Sequence, residues 1–135
     1  MNYNKNNNYN KNNNKNEKIK FMTLNVGGLP NDIAIDYLLK FMKEAEVDVA
    51  CLQEVGDFHS LPPGSEYKMM ANPSHNRLGT AVIFKDTLKM ESIERDVSNR
   101  LIKIKFNCIS LINIYAYPRG ANHPDKKGVI SSVKL

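Results

Sequence analysis

No stretch of this chain of 135 residues is apolar for long enough to cross a bilayer, which takes about 20 consecutive apolar residues. The amino terminus shows neither a long apolar core nor a small-residue cleavage pattern, so no secretory signal is expected. These absences point to a soluble protein that is intracellular, nuclear or cytoplasmic, with no membrane partner. Cysteine is scarce as well. Cys51 and Cys108 lie far apart, each inside an apolar strand-like run, at neither a metal-ligand nor a redox-pair spacing. They read as buried free thiols, which suits a reducing compartment.

Acidic residues are outnumbered, 14 against 19 basic ones, for a net charge of +5. Lys5, Lys11 and Lys15 supply three of those charges, which leaves +2 on the remainder. Residues 1–17 are almost wholly asparagine and lysine, a composition that buries too little surface to offset its ordering entropy. That tract is expected to be a disordered tail, more an inert extension than a nucleic-acid-binding arm. The other 118 or so residues, numbered 18–135, suit one globular domain, with 41% of the whole chain apolar.

What is present is concentrated between Lys18 and Glu54. Ile19–Val26 alternates Ile19 and Phe21 with Met22, Leu24 and Val26, the pattern of a strand buried on both faces and broken only by Lys20. Gly27-Gly28 and Pro30 make a turn, and Asn31 or Asp32 is placed to cap a helix. In that helix Ile35, Leu38, Leu39, Met42 and Ala45 form one apolar stripe. Val47–Gln53 reads as a second buried strand. A helical crossover makes the two strands parallel, with their carboxyl ends on one sheet edge, roughly 5 to 10 Å apart. Asn25 and Glu54 sit at those ends, where open sheets bind ligands, so an amide and a carboxylate meet as a candidate site for a hard cation.

Further along, Leu61-Pro62-Pro63-Gly64-Ser65 breaks the chain before a short strand over Tyr67–Ala71. Gly79–Phe84 is a buried strand. Leu101–Phe106 alternates strictly, with Ile102, Ile104 and Phe106 inward and Lys103 and Lys105 outward. Asn107-Cys108 reverses the chain into Ile109–Tyr115, a hairpin that ends on Tyr115. Arg77 lies in the loop before Gly79, and its guanidinium suits a phosphate, although most exposed arginines make no such contact. His59 and His75 read as solvated loop residues.

Leu24-Asn25-Val26-Gly27-Gly28-Leu29, followed by Val47–Val55 with its Leu52-Gln53-Glu54, resembles the opening of the endonuclease/exonuclease/phosphatase superfamily, and looks most like the branch encoded by non-LTR retrotransposons. Asn113-Ile114-Tyr115-Ala116 is similar to a third motif of that family, although Tyr117 intervenes before Pro118 where the family has proline directly. The resemblance runs from about Lys18 to Pro118.

It implies an α/β fold of the α+β sandwich type: the amino-terminal half of a four-layer α/β/β/α metal-dependent phosphodiesterase, with an incomplete second sheet. It also implies Mg2+ (or Mn2+) held by Glu54 and Asn25, catalytic roles for Asn25 and Tyr115, a substrate contact from Arg77, and DNA as the most fitting partner. The family's later motifs, Asp-x-Asn and Ser-Asp-His, do not follow Pro118. His123 and Asp125 are poor substitutes, being in a proline-containing loop close to Tyr115 in sequence.

Activity of the chain alone is therefore expected to be very low. A half-sandwich is also expected to expose its core and to need a carboxy-terminal half or a partner chain. Three readings follow: a retroelement-type DNA endonuclease segment, a relative acting on another phosphoester, and a non-catalytic remnant with weak nucleic-acid binding.

Overall fold

The computed structural model describes residues 18–57, 60–74, 78–107 and 109–116. The tail over 1–17, His59, His75, Arg77, Cys108, Tyr117, His123 and Asp125 lie outside the described residues. The elements run β1 (Phe21–Asn25), α1 (Asp32–Glu44), β2 (Val49–Gln53), β3 (Tyr67–Pro73), β4 (Gly79–Lys85), β5 (Met90–Arg95), β6 (Leu101–Phe106) and β7 (Ser110–Ile114). β1 pairs with β2 in parallel, from Phe21 opposite Val49 to Asn25 opposite Gln53. The remaining pairings are antiparallel, giving a first sheet in the order β1-β2-β4-β3 and a second in the order β5-β6-β7.

Asn31 starts α1 by accepting the Ala34 N–H on its side-chain oxygen at 3.0 Å, satisfying one of the free donors of the first turn. Ile35, Leu38 and Met42 are buried on one stripe and pack with Ala50 and Leu52 of β2 and Ala81 and Ile83 of β4. The alternate residues of the same strands, Val49, Val82 and Phe84, face the other way and meet Ile102, Ile104 and Phe106 of β6. Three layers result: helix, first sheet, second sheet. The period-two alternation of β2 and β4 lets each serve two cores at once, which is why both read as continuous apolar runs.

One sequence expectation needs correction. β1 is not buried on both faces: Phe21 is 47% and Leu24 42% exposed. It stands at the edge of the first sheet, with β2 on one side and, among the described residues, no strand on the other. A groove of about 670 Å³ along it, lined by Met22, Leu24, Tyr37 and Phe41 among others, stays open. β5, for which the sequence raised no expectation, carries no period-two signal. A register shift between Met90 and Ser92 lets Met90 and Ile93, three apart, both pack on the inter-sheet core. Elsewhere the bounds move by a few residues, β2 starting at Val49 and β3 extending to Pro73.

Cys51 is a free, buried thiol, as its setting in an apolar run predicts. Burial pushes its pKa from the ordinary 9.0 up to about 11. The unfolded chain therefore gives up this proton first, so the thiol's contribution to stability is intact below pH 9.0 and is lost as the pH climbs toward about 11. Iodoacetamide at pH 8 is expected to leave Cys51 unlabelled in the native protein and to label it fully in denaturant, read by peptide-resolved mass spectrometry. Stoichiometric labelling of folded protein would contradict the burial.

Candidate active site

The carboxyl ends of β1 and β2 emerge together, and their ladder continues beyond the strands. The Val26 N–H donates to the Gln53 carbonyl (3.0 Å), Gly28 N–H to the Glu54 carbonyl (2.7 Å) and Leu29 N–H to the Val55 carbonyl (3.3 Å). Gly27 and Gly28 make this route possible with φ of 60° and 104°, conformations that cost other residues roughly 1–2 kcal/mol. From the other side the Val55 N–H donates to the Gly79 carbonyl (3.3 Å), Gly56 N–H to the Leu78 carbonyl (3.0 Å) and Ser74 N–H to the Gly56 carbonyl (2.9 Å). The segment after β2 is thus stapled between the glycine turn and the flanks of the β3–β4 loop.

Glu54 itself has a left-handed backbone, φ 57°. A non-glycine residue in that region stores strain that the surrounding bonds must hold, and such positions cluster at functional sites. Its half-buried carboxylate receives the Tyr115 hydroxyl: Tyr115 Oη donates to Glu54 Oε1 at 2.7 Å. Tyr115 comes from the second sheet, immediately after β7, and its N–H donates to the Arg100 carbonyl at 2.8 Å. Two residues 61 positions apart in sequence therefore meet across the two sheets.

Asn25 ends β1 opposite Gln53, one register step before Glu54. It is exposed, and its side-chain oxygen accepts the Gly27 N–H at 3.1 Å, which ties the amide to the glycine turn. Of the four site residues expected from the sequence, Glu54 and Tyr115 are in direct contact, Asn25 stands at the same rim, and Arg77 lies outside the described residues. Beside them a cleft of about 260 Å³ opens between Gly27–Pro30 and Val55–Asp57.

A polar layer beneath this rim escaped the sequence reading. Asn113, 3% exposed, places its amide between the sheets: Nδ2 donates to the Leu52 carbonyl at 3.0 Å and the Ala81 carbonyl at 2.9 Å. Its Oδ1 accepts from Gln53 Nε2 at 3.0 Å. Asn72, 5% exposed, makes a second bridge, with Nδ2 donating to the Asp96 carbonyl, to Asp96 Oδ1 and to the Leu101 carbonyl at 3.1–3.2 Å. The available signal was Asn113 standing at an inward position of the apolar run Leu111–Ile114; a polar group there must find partners.

Comparison with protein families matches residues 22–119 to the Endonuclease/Exonuclease/phosphatase family. The chain belongs to that family. Among solved structures, the fold resembles a crystal structure of an AP endonuclease from Leishmania major, with a TM-score of 0.60 at 19% identity. That likeness covers 84% of this chain and 45% of the other, so this chain spans less than half of the relative's length. In this member of the endonuclease/exonuclease/phosphatase family, no three His, Cys, Asp or Glu side chains gather as a metal cluster among the described residues. The two-sheet α/β architecture expected of the family is present.

Proposed function

We propose that this chain is the metal-binding, amino-terminal half of a magnesium-dependent phosphodiesterase, and that its substrate is DNA, as for a retrotransposon-type endonuclease. The observation that carries this reading is the Tyr115–Glu54 hydrogen bond at 2.7 Å, which joins the two sheets at the rim where β1 and β2 end. Family membership supports phosphoester chemistry in general. The fold it shares with an AP endonuclease is compatible with a nucleic-acid substrate.

The residues fit a hard cation. Mg2+ is commonly held through one or two carboxylates, with waters and substrate phosphate oxygens completing its octahedron, so a lone glutamate suffices as the protein anchor. Glu54 would hold Mg2+ or Mn2+, with the Asn25 amide beside it. Bound there, the cation would polarise the phosphoryl group and stabilise the leaving oxygen. Tyr115 holds one carboxylate oxygen by its hydroxyl and leaves the other, Oε2, to the ligand. Asn25 accepts the Gly27 N–H on its side-chain oxygen, so its amide NH2 is the donor it would offer to a phosphate oxygen. Arg77 is proposed as a further phosphate contact on its sequence position alone.

General acid–base assistance contributes about 10² to 10⁴-fold in such reactions. With no Asp-x-Asn or Ser-Asp-His in the sequence, residues 1–135 should cleave only slowly. A carboxy-terminal half or a partner chain would complete the site, and the open groove beside β1 offers it an apolar seat. The test is relaxation of supercoiled plasmid in magnesium by the full chain and by Glu54→Ala. Slow nicking that disappears in the variant and in chelator is expected. Equal nicking by both proteins, or none by the natural chain together with no Mn2+ binding, would overturn the reading.

A further inference from the structure

We propose that Gln53 and Asn113 are positioning residues, a pair of amides that sets the reach of Tyr115 to Glu54 and the placement of Asn25. The inference rests on reading Glu54, Tyr115 and Asn25 as the site. Gln53 Nε2 donates to Thr23 Oγ1 of β1 and to Asn113 Oδ1 of β7, both at 3.0 Å, and lies 3.3 Å from the Cys51 carbonyl of its own strand. One amide thus touches all three strands that carry the site. The contacted residues are also close in register to the functional ones: Thr23 is two before Asn25, Gln53 one before Glu54, and Asn113 two before Tyr115.

The donors and acceptors leave a single arrangement. Both hydrogens of Asn113 Nδ2 are taken by the Leu52 and Ala81 carbonyls, so only its Oδ1 can face Gln53, which must then present its NH2. The amide of Asn113 is pinned to neighbouring carbonyls of β2 and β4 and fixes the height of β7 over the first sheet. Tyr115 follows two residues later, with its own N–H on the Arg100 carbonyl. A slip of about 1 Å at that point would break a 2.7 Å hydrogen bond to Glu54. Asn72 serves as the contrast, because it ties the same two sheets through Asp96 and Leu101 without touching a strand end of the site.

The experiment uses the full chain labelled at the tyrosine Cζ carbons, with the Tyr115 resonance assigned through Tyr115→Phe. Glu54→Ala supplies the position of that resonance when the carboxylate is gone. Gln53→Met keeps the side-chain length and removes both donors at a half-buried position. It is expected to retain amide dispersion, to move the Tyr115 resonance toward its place in Glu54→Ala, and to weaken Mn2+ binding roughly tenfold or more, as losses around a metal ligand do. Asn72→Ser, which loosens the other bridge, is expected to leave the Tyr115 resonance in place.

An unmoved Tyr115 resonance in folded Gln53→Met overturns the proposal. So does an equal displacement in Asn72→Ser, or global unfolding of Gln53→Met, since either makes the amide a general brace. If the natural chain binds no Mn2+, the proposed function fails while the tyrosine resonance still decides the role of the pair.

Discussion

Glu54→Gln is expected to raise the Mn2+ dissociation constant by roughly a hundredfold or more, because losing even an outer-shell partner of a metal ligand costs about 10- to 100-fold. The variant keeps the size and shape of the side chain, and its amide carbonyl can still accept the Tyr115 hydroxyl, so the fold and the hydrogen bond across the sheets need not change. What it removes is the negative charge. Among the described residues no three His, Cys, Asp or Glu side chains gather at this rim, so the charge of Glu54 is not backed by a cluster of carboxylates. Water-proton relaxation or calorimetry with Mn2+ reads the difference directly. Tyr115→Phe should be milder, near tenfold, because it frees the carboxylate without discharging it. Equal affinity in Glu54→Gln and the natural chain would place the cation elsewhere.

The second large effect concerns the interface between the sheets. Phe84 and Phe106 are each 1% exposed and meet edge to face, ring centroids 5.1 Å apart and planes at 73°. Phe84→Ala removes the larger part of a side chain shared by β4 and the facing β6, at an expected cost of about 3–5 kcal/mol. Ordinary domains have only about 5–15 kcal/mol in all. This one leaves apolar surface open at β1 and at Ile112 and Ile114 of β7, 39% and 41% exposed, so the substitution should abolish cooperative unfolding by urea at 25 °C. Phe41→Ala, on the exposed side of α1, should change stability by no more than about 0.5 kcal/mol. Comparable losses in the two variants would mean that the inter-sheet core does not hold the molecule together.

How much of this could be read from residue order varies by element. The β1-α1-β2 unit was legible because its signals are local: a stripe at helical spacing, a capping asparagine and two apolar runs around a glycine turn. The β6–β7 hairpin was legible for the same reason. β5 was not, because a bulge replaced its alternation of two with a spacing of three. The exposure of β1 was not legible either, since strand order, and not composition, decides which strand lies at an edge. Asn113 looked like one polar letter in an apolar run, and only the opposing carbonyls give it a purpose.

Residue order alone marks β1, α1, β2 and the β6–β7 hairpin, puts Asn25 and Glu54 at the carboxyl ends of parallel strands on one sheet edge, and carries the resemblance to a phosphodiesterase family. The Tyr115 hydroxyl on the Glu54 carboxylate, and the Gln53–Asn113 amide contact near it, come from the way the two sheets stack. Periodicity reports which way a side chain faces relative to its own strand, whereas the meeting of two residues on different sheets depends on sheet stacking and register, which are set by packing across the whole core.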